Sequence, residues 1–224
     1  SLLRLWDAET GALLVHFALP GDSVPAIPLS PDNKTIVTIG KNPQAQPVAR
    51  LWDAATGQLR ATLSGHTAPI LDAGFSADGT LLVTASQDQT ARLWDVRSGR
   101  AMAPILRHAG SVLQARFAAQ EAVVFTLDDE QIARRWNART GQLLLTPGGK
   151  DAWSVASWSP NGAYLATVGE DAELKLWDGR TGQLLWQQRS RGQPIGKLVF
   201  SPDGQSLLAV EQNAAHLWST QRPV

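Results

Sequence analysis

The sequence predicts an all-β fold made of one four-strand unit repeated along the chain, and three observations predict it. Six of the nine tryptophans stand in near-identical surroundings: Leu5-Trp6-Asp7, Leu51-Trp52-Asp53, Leu93-Trp94-Asp95, Arg135-Trp136-Asn137, Leu176-Trp177-Asp178 and Leu217-Trp218-Ser219. They are spaced 46, 42, 42, 41 and 41 residues apart. Self-similarity at a fixed period marks an architecture in which each unit needs its neighbours to bury its apolar faces. Within a unit, alternating or β-branched runs such as Leu81-Leu82-Val83-Thr84 and Ala91-Arg92-Leu93-Trp94 read as short strands. Two kinds of turn, recurring in phase with the tryptophans, separate these runs.

The first kind follows the tryptophan. Asp7-Ala8-Glu9-Thr10-Gly11, Asp53-Ala54-Ala55-Thr56-Gly57, Asp95-Val96-Arg97-Ser98-Gly99, Asn137-Ala138-Arg139-Thr140-Gly141 and Asp178-Gly179-Arg180-Thr181-Gly182 share one pattern. The Asp or Asn can accept from the backbone ahead of it and the final Gly can take positive φ, so each segment reads as a tight hairpin connection. The second kind lies earlier in the unit: Ser30-Pro31-Asp32-Asn33, Ser76-Ala77-Asp78-Gly79, Ser159-Pro160-Asn161-Gly162 and Ser201-Pro202-Asp203-Gly204. Pro presets the first corner and Gly or Asn closes the second. The fourth unit departs from this, with Ala118-Ala119-Gln120-Glu121.

Composition narrows the function classes. The 224 residues carry 20 Lys and Arg against 20 Asp and Glu, so the surplus of positive charge that draws in phosphates is missing. Neither a nucleic acid nor a membrane surface is an expected partner. With no cysteine, disulfide frameworks, thiolate zinc sites and cysteine nucleophiles are excluded. No apolar run approaches the roughly 18 residues of a membrane-spanning helix. No secretory signal is visible, and a cytoplasmic location is the expectation.

With the repeats and turns in phase, the sequence resembles the WD40 β-propeller family over essentially its whole length. One repeat matches very closely: Gly65-His66, Phe75-Ser76-Ala77-Asp78-Gly79, Thr84-Ala85-Ser86-Gln87-Asp88-Gln89-Thr90 and Leu93-Trp94-Asp95. The resemblance implies radial four-stranded blades. It places four complete blades at 23–63, 69–106, 111–146 and 152–188, with partial blades at 2–17 and 194–218. Propellers have about four to eight blades, which leaves two expectations open. The chain is part of a longer ring, or residues 195–210 complete the blade begun by residues 2–17 in a five-blade ring.

The resemblance also implies a buried hydrogen-bond network in which an indole N–H reaches a hydroxyl, then an imidazole, then a carboxylate. By position it would comprise His66, Thr84, Asp88 and Trp94. The other repeats keep less: His108, Thr126 and Trp136 with Glu130 at the acid position; Thr167, Asp171 and Trp177 with Gly149 in place of His; Thr38 and Trp52; and Trp218 alone. A His, an Asp and a hydroxyl also suggest a hydrolase triad, but the architectural role is the expected one.

No phosphate loop, His-Glu-x-x-His or Gly-x-Ser-x-Gly motif occurs. His16, His66, His108 and His216 never fall within metal-ligand spacing. No catalytic residue, metal or cofactor is expected. Arg4, Arg50, Arg92, Arg134 and Lys175 recur two positions before tryptophan and are expected on a solvated face. Arg135 stands where the other units have Leu, on the packed side, and needs either a route to water or an acidic partner. Trp153 and Trp158 are expected in the core between blades, and Trp186 on an outer strand.

In the resembled family partners dock on one face of the ring, at two positions of the innermost strand and one before the network acid. Those positions are Ser23 and Pro25, Pro69 and Leu71, Ser111 and Leu113, Ala152 and Ser154, Pro194 and Gly196, with Ala45, Gln87, Asp129, Glu170 and Glu211. The strongest candidates are Gln87, Asp129, Glu170, Glu211, Leu71 and Leu113, the three acids forming an arc suited to a basic segment of a partner. The expected function is a non-catalytic scaffold that binds other proteins or other domains of a longer chain. A ligand-binding or catalytic central channel is the alternative.

Overall fold

The local chemistry of the turns is what closes the hairpins. Asp7 Oδ1 accepts from the backbone N–H of Thr10 at 2.7 Å and of Glu9 at 3.1 Å, and Gly11 takes φ 68°. The same arrangement recurs at Asp53, Asp95, Asn137 and Asp178. In the second kind of turn, Ser76 Oγ donates to Asp78 at 2.6 Å and accepts from the Leu81 N–H at 2.9 Å. Gly79 takes φ 70°, and Asn33 supplies the same left-handed corner at 58° where glycine is absent. Asparagine is among the few residues that tolerate that conformation.

A computed structural model describes residues 2–18, 28–118, 122–147, 153–169, 173–189 and 194–221, and every element in them is a β-strand or turn. The chain falls into two compact units, Ser1–Arg116 and Phe117–Val224.

The first unit holds three antiparallel sheets: β1 (Leu2–Trp6) with β2 (Leu13–Ala18); β3 (Thr35–Lys41), β4 (Pro47–Asp53) and β5 (Leu59–Ser64); and β6 (Ile70–Phe75), β7 (Leu81–Ser86), β8 (Thr90–Asp95) and β9 (Ala101–Arg107). The second sheet has three strands among the described residues. Of its expected innermost strand only the bridge Leu29↔Ile36 is described. The unit ends inside β10 (Val112–Phe117), first strand of a four-stranded sheet with β11 (Val123–Asp128), β12 (Ala133–Asn137) and β13 (Leu143–Leu145).

The second unit adds β14 (Trp153–Trp158), β15 (Tyr164–Gly169), β16 (Glu173–Asp178) and β17 (Leu184–Arg189), then β18 (Lys197–Phe200), β19 (Ser206–Val210) and β20 (Ala215–Ser219). Within each sheet, strands neighbouring in sequence neighbour in space, so short hairpin turns suffice to connect them.

Sheets bury their faces against one another, and the repeating tryptophan drives this. Trp52 packs with Leu3, Leu5 and Val15 of the preceding sheet. Trp94 joins Val37, Ile39, Ala49 and Leu51 of the sheet before it. In the second unit Trp177 meets Leu127 and Ala133, and Trp218 meets Ala166, Val168, Leu174 and Leu176. An aromatic of this size buries more apolar area than any aliphatic residue, which explains its use at the joint between sheets. Trp6 heads the first sheet and is 55% exposed.

A β-bulge sits beside four of the repeat tryptophans: the register slips between Leu5 and Trp6, Leu51 and Trp52, Arg135 and Trp136, and Leu176 and Trp177. The outer strand carries the extra residue each time. At one of these residues, Arg60, the guanidinium pairs with Asp53 and holds that carboxyl down to about 2.

Trp158 stacks on Phe125 with ring centroids 4.0 Å apart, and Trp186 is half-buried on β17 against Trp218. The side chain of Trp153 lies outside the described residues.

Candidate interaction surface and its buried polar support

The third repeat holds a continuous polar chain inside the sheet. Trp94 Nε1–H donates to Thr84 Oγ1 at 2.9 Å, and Thr84 Oγ1 lies 2.8 Å from His66 Nε2. His66 Nδ1 lies 2.7 Å from Asp88 Oδ2. Donor bookkeeping fixes the protons. The Thr84 hydroxyl oxygen accepts from the indole N–H and its O–H donates to Nε2, which leaves the Nδ1–H to donate to Asp88. Burial pushes the His66 pKa down, and that outweighs the pull of Asp88 in the other direction. The ring is therefore neutral at pH 7, as the proton pattern requires.

Asp88 is tied down on every side. It accepts from Thr90 Oγ1 at 2.5 Å and from the backbone N–H groups of Thr67 and Thr90 at 3.0 Å each. Burial raises its pKa, but these bonds and His66 outweigh burial and hold it below the ordinary carboxylate range. Asp–His–hydroxyl geometry here supports no nucleophile, because Thr84 is 0% exposed and no substrate atom can approach its oxygen.

The other repeats keep the inner half of the chain. Trp52 donates to Thr38, Trp136 to Thr126 and Trp177 to Thr167, each at 2.8 Å. In the last repeat the residue facing the indole is Ala209 by register, and Trp218 Nε1 is buried without a hydrogen-bond partner. His108 is half-buried and its backbone N–H donates to the Gln89 carbonyl at 2.9 Å. Gly149 and Asp171 lie outside the described residues.

The fourth repeat uses a different acid from the one expected. Glu130 is exposed, whereas Asp128, two residues earlier, is fully buried. The Asp128 carboxylate pairs with the Arg134 guanidinium and accepts the Ile132 N–H at 2.8 Å. This also corrects the expectation of a solvated basic stripe. Arg50 is buried, with Nη2 donating to the Lys41 carbonyl at 2.8 Å, and Arg92, Arg134 and Lys175 are half-buried. Of the five only Arg4 is exposed.

The candidate docking residues divide sharply. Gln87 and Asp129 are exposed, and Leu71 and Leu113 are half-buried near the starts of β6 and β10. Leu71 is the extra residue of a bulge, since β6 pairs Ile70 with Ser86 and Asp72 with Ala85. The turn after β7 is fixed close by, with Gln87 N–H donating to the Pro69 carbonyl at 3.0 Å. Pro69, Pro194 and Gly196 are exposed, Ser111 is half-buried, and Ala45 is exposed in a turn at φ 60°. Ser23, Pro25, Ala152, the Ser154 side chain and Glu170 lie outside the described residues.

Glu211 does not belong to an exposed acidic arc. Its side chain is 6% exposed and 3.9 Å from His216 Nε2. The loop between the last paired residues Val210 and Ala215 has four residues, against five between Ala85 and Ala91. By register Glu211, two residues beyond Ala209, stands at the position of Ser86 and Asp128, both 0% exposed. His216 itself is exposed on β20, as is His16 on β2. Among the described residues no group of three or more His, Cys, Asp or Glu is arranged to hold a metal ion.

Comparison with known proteins agrees with this architecture. Residues 57–95 and 141–178 match the family model "WD domain, G-beta repeat". Angio-associated migratory cell protein from Homo sapiens and from Pongo abelii is 54% identical over 41 residues, 18% of this chain and 9% of each relative. The β-propeller domain of Cps50 (Swd1) from Myceliophteria thermophila superposes with a TM-score of 0.73 at 17% identity, over 88% of this chain and 64% of that one. The chain thus spans under two thirds of that propeller and a small part of the curated relatives. Such propellers generally mediate protein–protein interactions. Two matched repeats, the repeating Trp–Thr bond and the likeness to a solved β-propeller support a WD40-repeat family.

Proposed function

We propose that the chain is a non-catalytic interaction module that binds other proteins, or other domains of a longer chain, through the sheet ends bearing Leu71, Gln87 and Leu113. One observation carries the reading. A bulge at Leu71 takes an apolar side chain out of the ladder and leaves it half-exposed near the exposed Gln87. Bulges re-aim side chains in this way next to functional sites, and a partly exposed apolar residue beside a polar one suits the core of an interface. The rigid network of His66, Thr84, Asp88 and Trp94 lies directly beneath this turn and fixes its shape. With Glu211 buried, the three-acid arc is incomplete, and the proposed contact is apolar and polar in character.

The test compares proteins captured from a lysate of the source organism by the wild-type chain, by the L71E/Q87R double variant and by Glu9→Ala on a distant exposed turn. The reading expects a captured protein that Glu9→Ala retains and the double variant loses, with Tm unchanged. Equal capture by all three overturns it.

A further inference from the structure

The β3–β4 hairpin of the first unit is longer than its counterparts. In β7–β8 the ladder ends at Ala85↔Ala91 and in β11–β12 at Leu127↔Ala133, three residues before the repeat tryptophan, and each leaves a five-residue loop. The corresponding pair in β3–β4 is Ile39↔Ala49, but there the ladder continues through Gly40↔Val48 and Lys41↔Pro47. The loop beyond, Asn42 to Gln46, again has five residues. Two added pairs are four added residues, which is why Trp6 and Trp52 are 46 apart where Trp52 and Trp94 are 42 apart. At roughly 3.4 Å per residue they carry the tip about 7 Å further along its own strands than the β7–β8 turn is carried along its strands.

The added length is braced. Val48 is 0% exposed, and buried Arg50 donates from Nη2 to the Lys41 carbonyl at 2.8 Å. At the tip the Asn42 N–H donates to the Gln46 carbonyl and the Ala45 N–H to the Asn42 carbonyl, both at 2.9 Å. Asn42 Oδ1 accepts the N–H of Gln44 at 3.0 Å and of Gln46 at 2.9 Å, and its Nδ2 donates to Gln46 Oε1 at 2.9 Å. An insertion that is merely tolerated lengthens a surface loop; this one lengthens the ladder and leaves the loop as short as before. Pro43, Gln44 and Ala45 are exposed at the tip, and no residue from Asn42 to Pro47 is charged. The Gln44 side-chain amide takes no part in the bonds that close the loop. Below the tip, Ile39 shares one buried cluster with Ile70, the residue before Leu71, so a partner covering Leu71 and Gln87 meets the taller hairpin beside them.

We propose that the β3–β4 hairpin inserts its Pro43–Gln44–Ala45 tip into an uncharged recess on the protein that docks at Leu71 and Gln87. The inference rests on the docking face proposed above and adds the shape and charge of its partner. A flat partner surface would be held off Leu71 by the tip, whereas a recessed one engages both. Rigid projecting loops bind concave surfaces in this way, and a tip already closed by its own hydrogen bonds gives up little conformational freedom on binding. Enclosure strips water from the tip, which an uncharged Pro-Gln-Ala segment tolerates far better than a charged one.

The test places a photo-crosslinking side chain in the whole chain, as Gln44→p-benzoylphenylalanine and, for control, Glu9→p-benzoylphenylalanine on the distant exposed turn. Each is irradiated in a lysate of the source organism. Position 44 is expected to crosslink one protein, absent from the control and lost from capture by L71E/Q87R, with the attachment mapped inside an uncharged recess of that protein. Titrated with that protein once purified, Gln44→Glu should bind about tenfold more weakly or worse, and Gln44→Asn should stay within about twofold of wild type. Both variants sit on an exposed tip and should keep the wild-type Tm. No crosslink from position 44, attachment on a flat or charged surface, or equal affinity of Gln44→Glu would each overturn the proposal. Capture lost by L71E/Q87R without a crosslink from position 44 sinks the hairpin alone. A crosslink from position 44 to a protein that L71E/Q87R still binds sinks the docking face instead, so the two readings fail separately.

Discussion

The Asp128 carboxylate, fully buried at the end of β11, pairs with the Arg134 guanidinium six residues later on β12. In the third repeat the equivalent of Asp128 is Ser86, whose hydroxyl donates to the Ala68 carbonyl at 2.8 Å. The fourth repeat has thus moved its buried acid two positions back along the chain, where it is compensated by the basic residue preceding tryptophan. Removing one partner of a buried pair leaves the other charge uncompensated, at a cost of about 3–5 kcal/mol. Arg134 keeps some contact with water, its side chain being 14% exposed, so Asp128→Ala is expected at the lower end, about 3 kcal/mol. Glu130→Ala, at an exposed position, should change stability by less than about 0.5 kcal/mol. Urea unfolding of the two variants checks the contrast, and equal losses would return the structural acid to Glu130.

The network of the third repeat has a pH signature. His66 has a folded pKa depressed below the ordinary 6.5, burial being the largest cause. A depressed folded value means that the unfolded chain binds the proton first. The stability contributed by neutral His66 is present above pH 6.5 and is lost as pH falls through the depressed folded value. Asp88, also held low, adds a loss that begins below its ordinary 3.8. Thermal melts between pH 8 and pH 4 should therefore show Tm falling below about 6.5, and His66→Gln should flatten that upper slope. Asp88→Ala should cost about 1–3 kcal/mol at pH 7 by leaving the imidazole N–H unpaired. A Tm unchanged in Asp88→Ala would show that the carboxylate does not support the ring.

Much of this was legible because it is local. The Asp7, Asp53 and Asp178 turns close through bonds to residues two and three positions on, so their chemistry is written in five consecutive letters. The set His66, Thr84, Asp88 and Trp94 was legible by position within the repeat. What tertiary burial decides was not. Asp128, Asp129 and Glu130 read alike as an acidic turn, and only the end of β11 makes the first of them internal. The sole hint was that Asp128 occupies the Ser86 position in a repeat that also changes Leu to Arg135. The bulges at Leu71 and beside four of the repeat tryptophans were equally hidden, because an extra unpaired residue does not disturb the alternation of letters. Counted from the strand before it, Glu211 stands two residues beyond Ala209 at the position of the buried Ser86 and Asp128; counting back from Trp218 through a loop one residue shorter places it at the exposed Gln87 position instead.

Two glycines make opposite predictions. At Gly162, φ is +67° and an added Cβ would stand 2.1 Å from the Phe125 ring, which is itself 2% exposed and stacked on Trp158. Overpacking a filled site costs about 1–3 kcal/mol, and the left-handed backbone adds to it, so Gly162→Ala should lose about 3 kcal/mol. At Gly196 an added Cβ meets nothing within 4 Å and φ is not left-handed. Gly196→Ala there restricts mainly the unfolded chain and should stabilise by about 0.4–1 kcal/mol. Equilibrium unfolding of both single variants measures the difference, and a stabilised Gly162→Ala would contradict the packing at Phe125.

Asp72 and Arg116 make the last prediction. Asp72 on β6 is 5% exposed; its carboxylate pairs with the Arg116 guanidinium on β10 and accepts the Ala115 N–H at 3.1 Å. Burial raises its pKa above 3.8, and Arg116 and the backbone donors offset only part of that rise. A raised folded value means the folded chain holds the proton longer than the unfolded one. That advantage is full below pH 3.8 and disappears as pH rises through the raised value, above which Asp72 is a buried charge leaning on Arg116. Arg116→Met removes the offset, so the folded pKa climbs further and the ionised carboxylate is left with backbone donors alone. At pH 7 the variant should lose about 1–3 kcal/mol, less than for a fully buried pair because the Arg116 side chain is 49% exposed. The loss should shrink as pH falls toward 4 and Asp72 takes up its proton. Unfolding of wild type and Arg116→Met across pH 4–7 checks this, with Asp72→Asn as the reference in which the pH-dependent part of the difference vanishes. A loss independent of pH would mean that Arg116 acts through packing of its aliphatic stem and not through its charge.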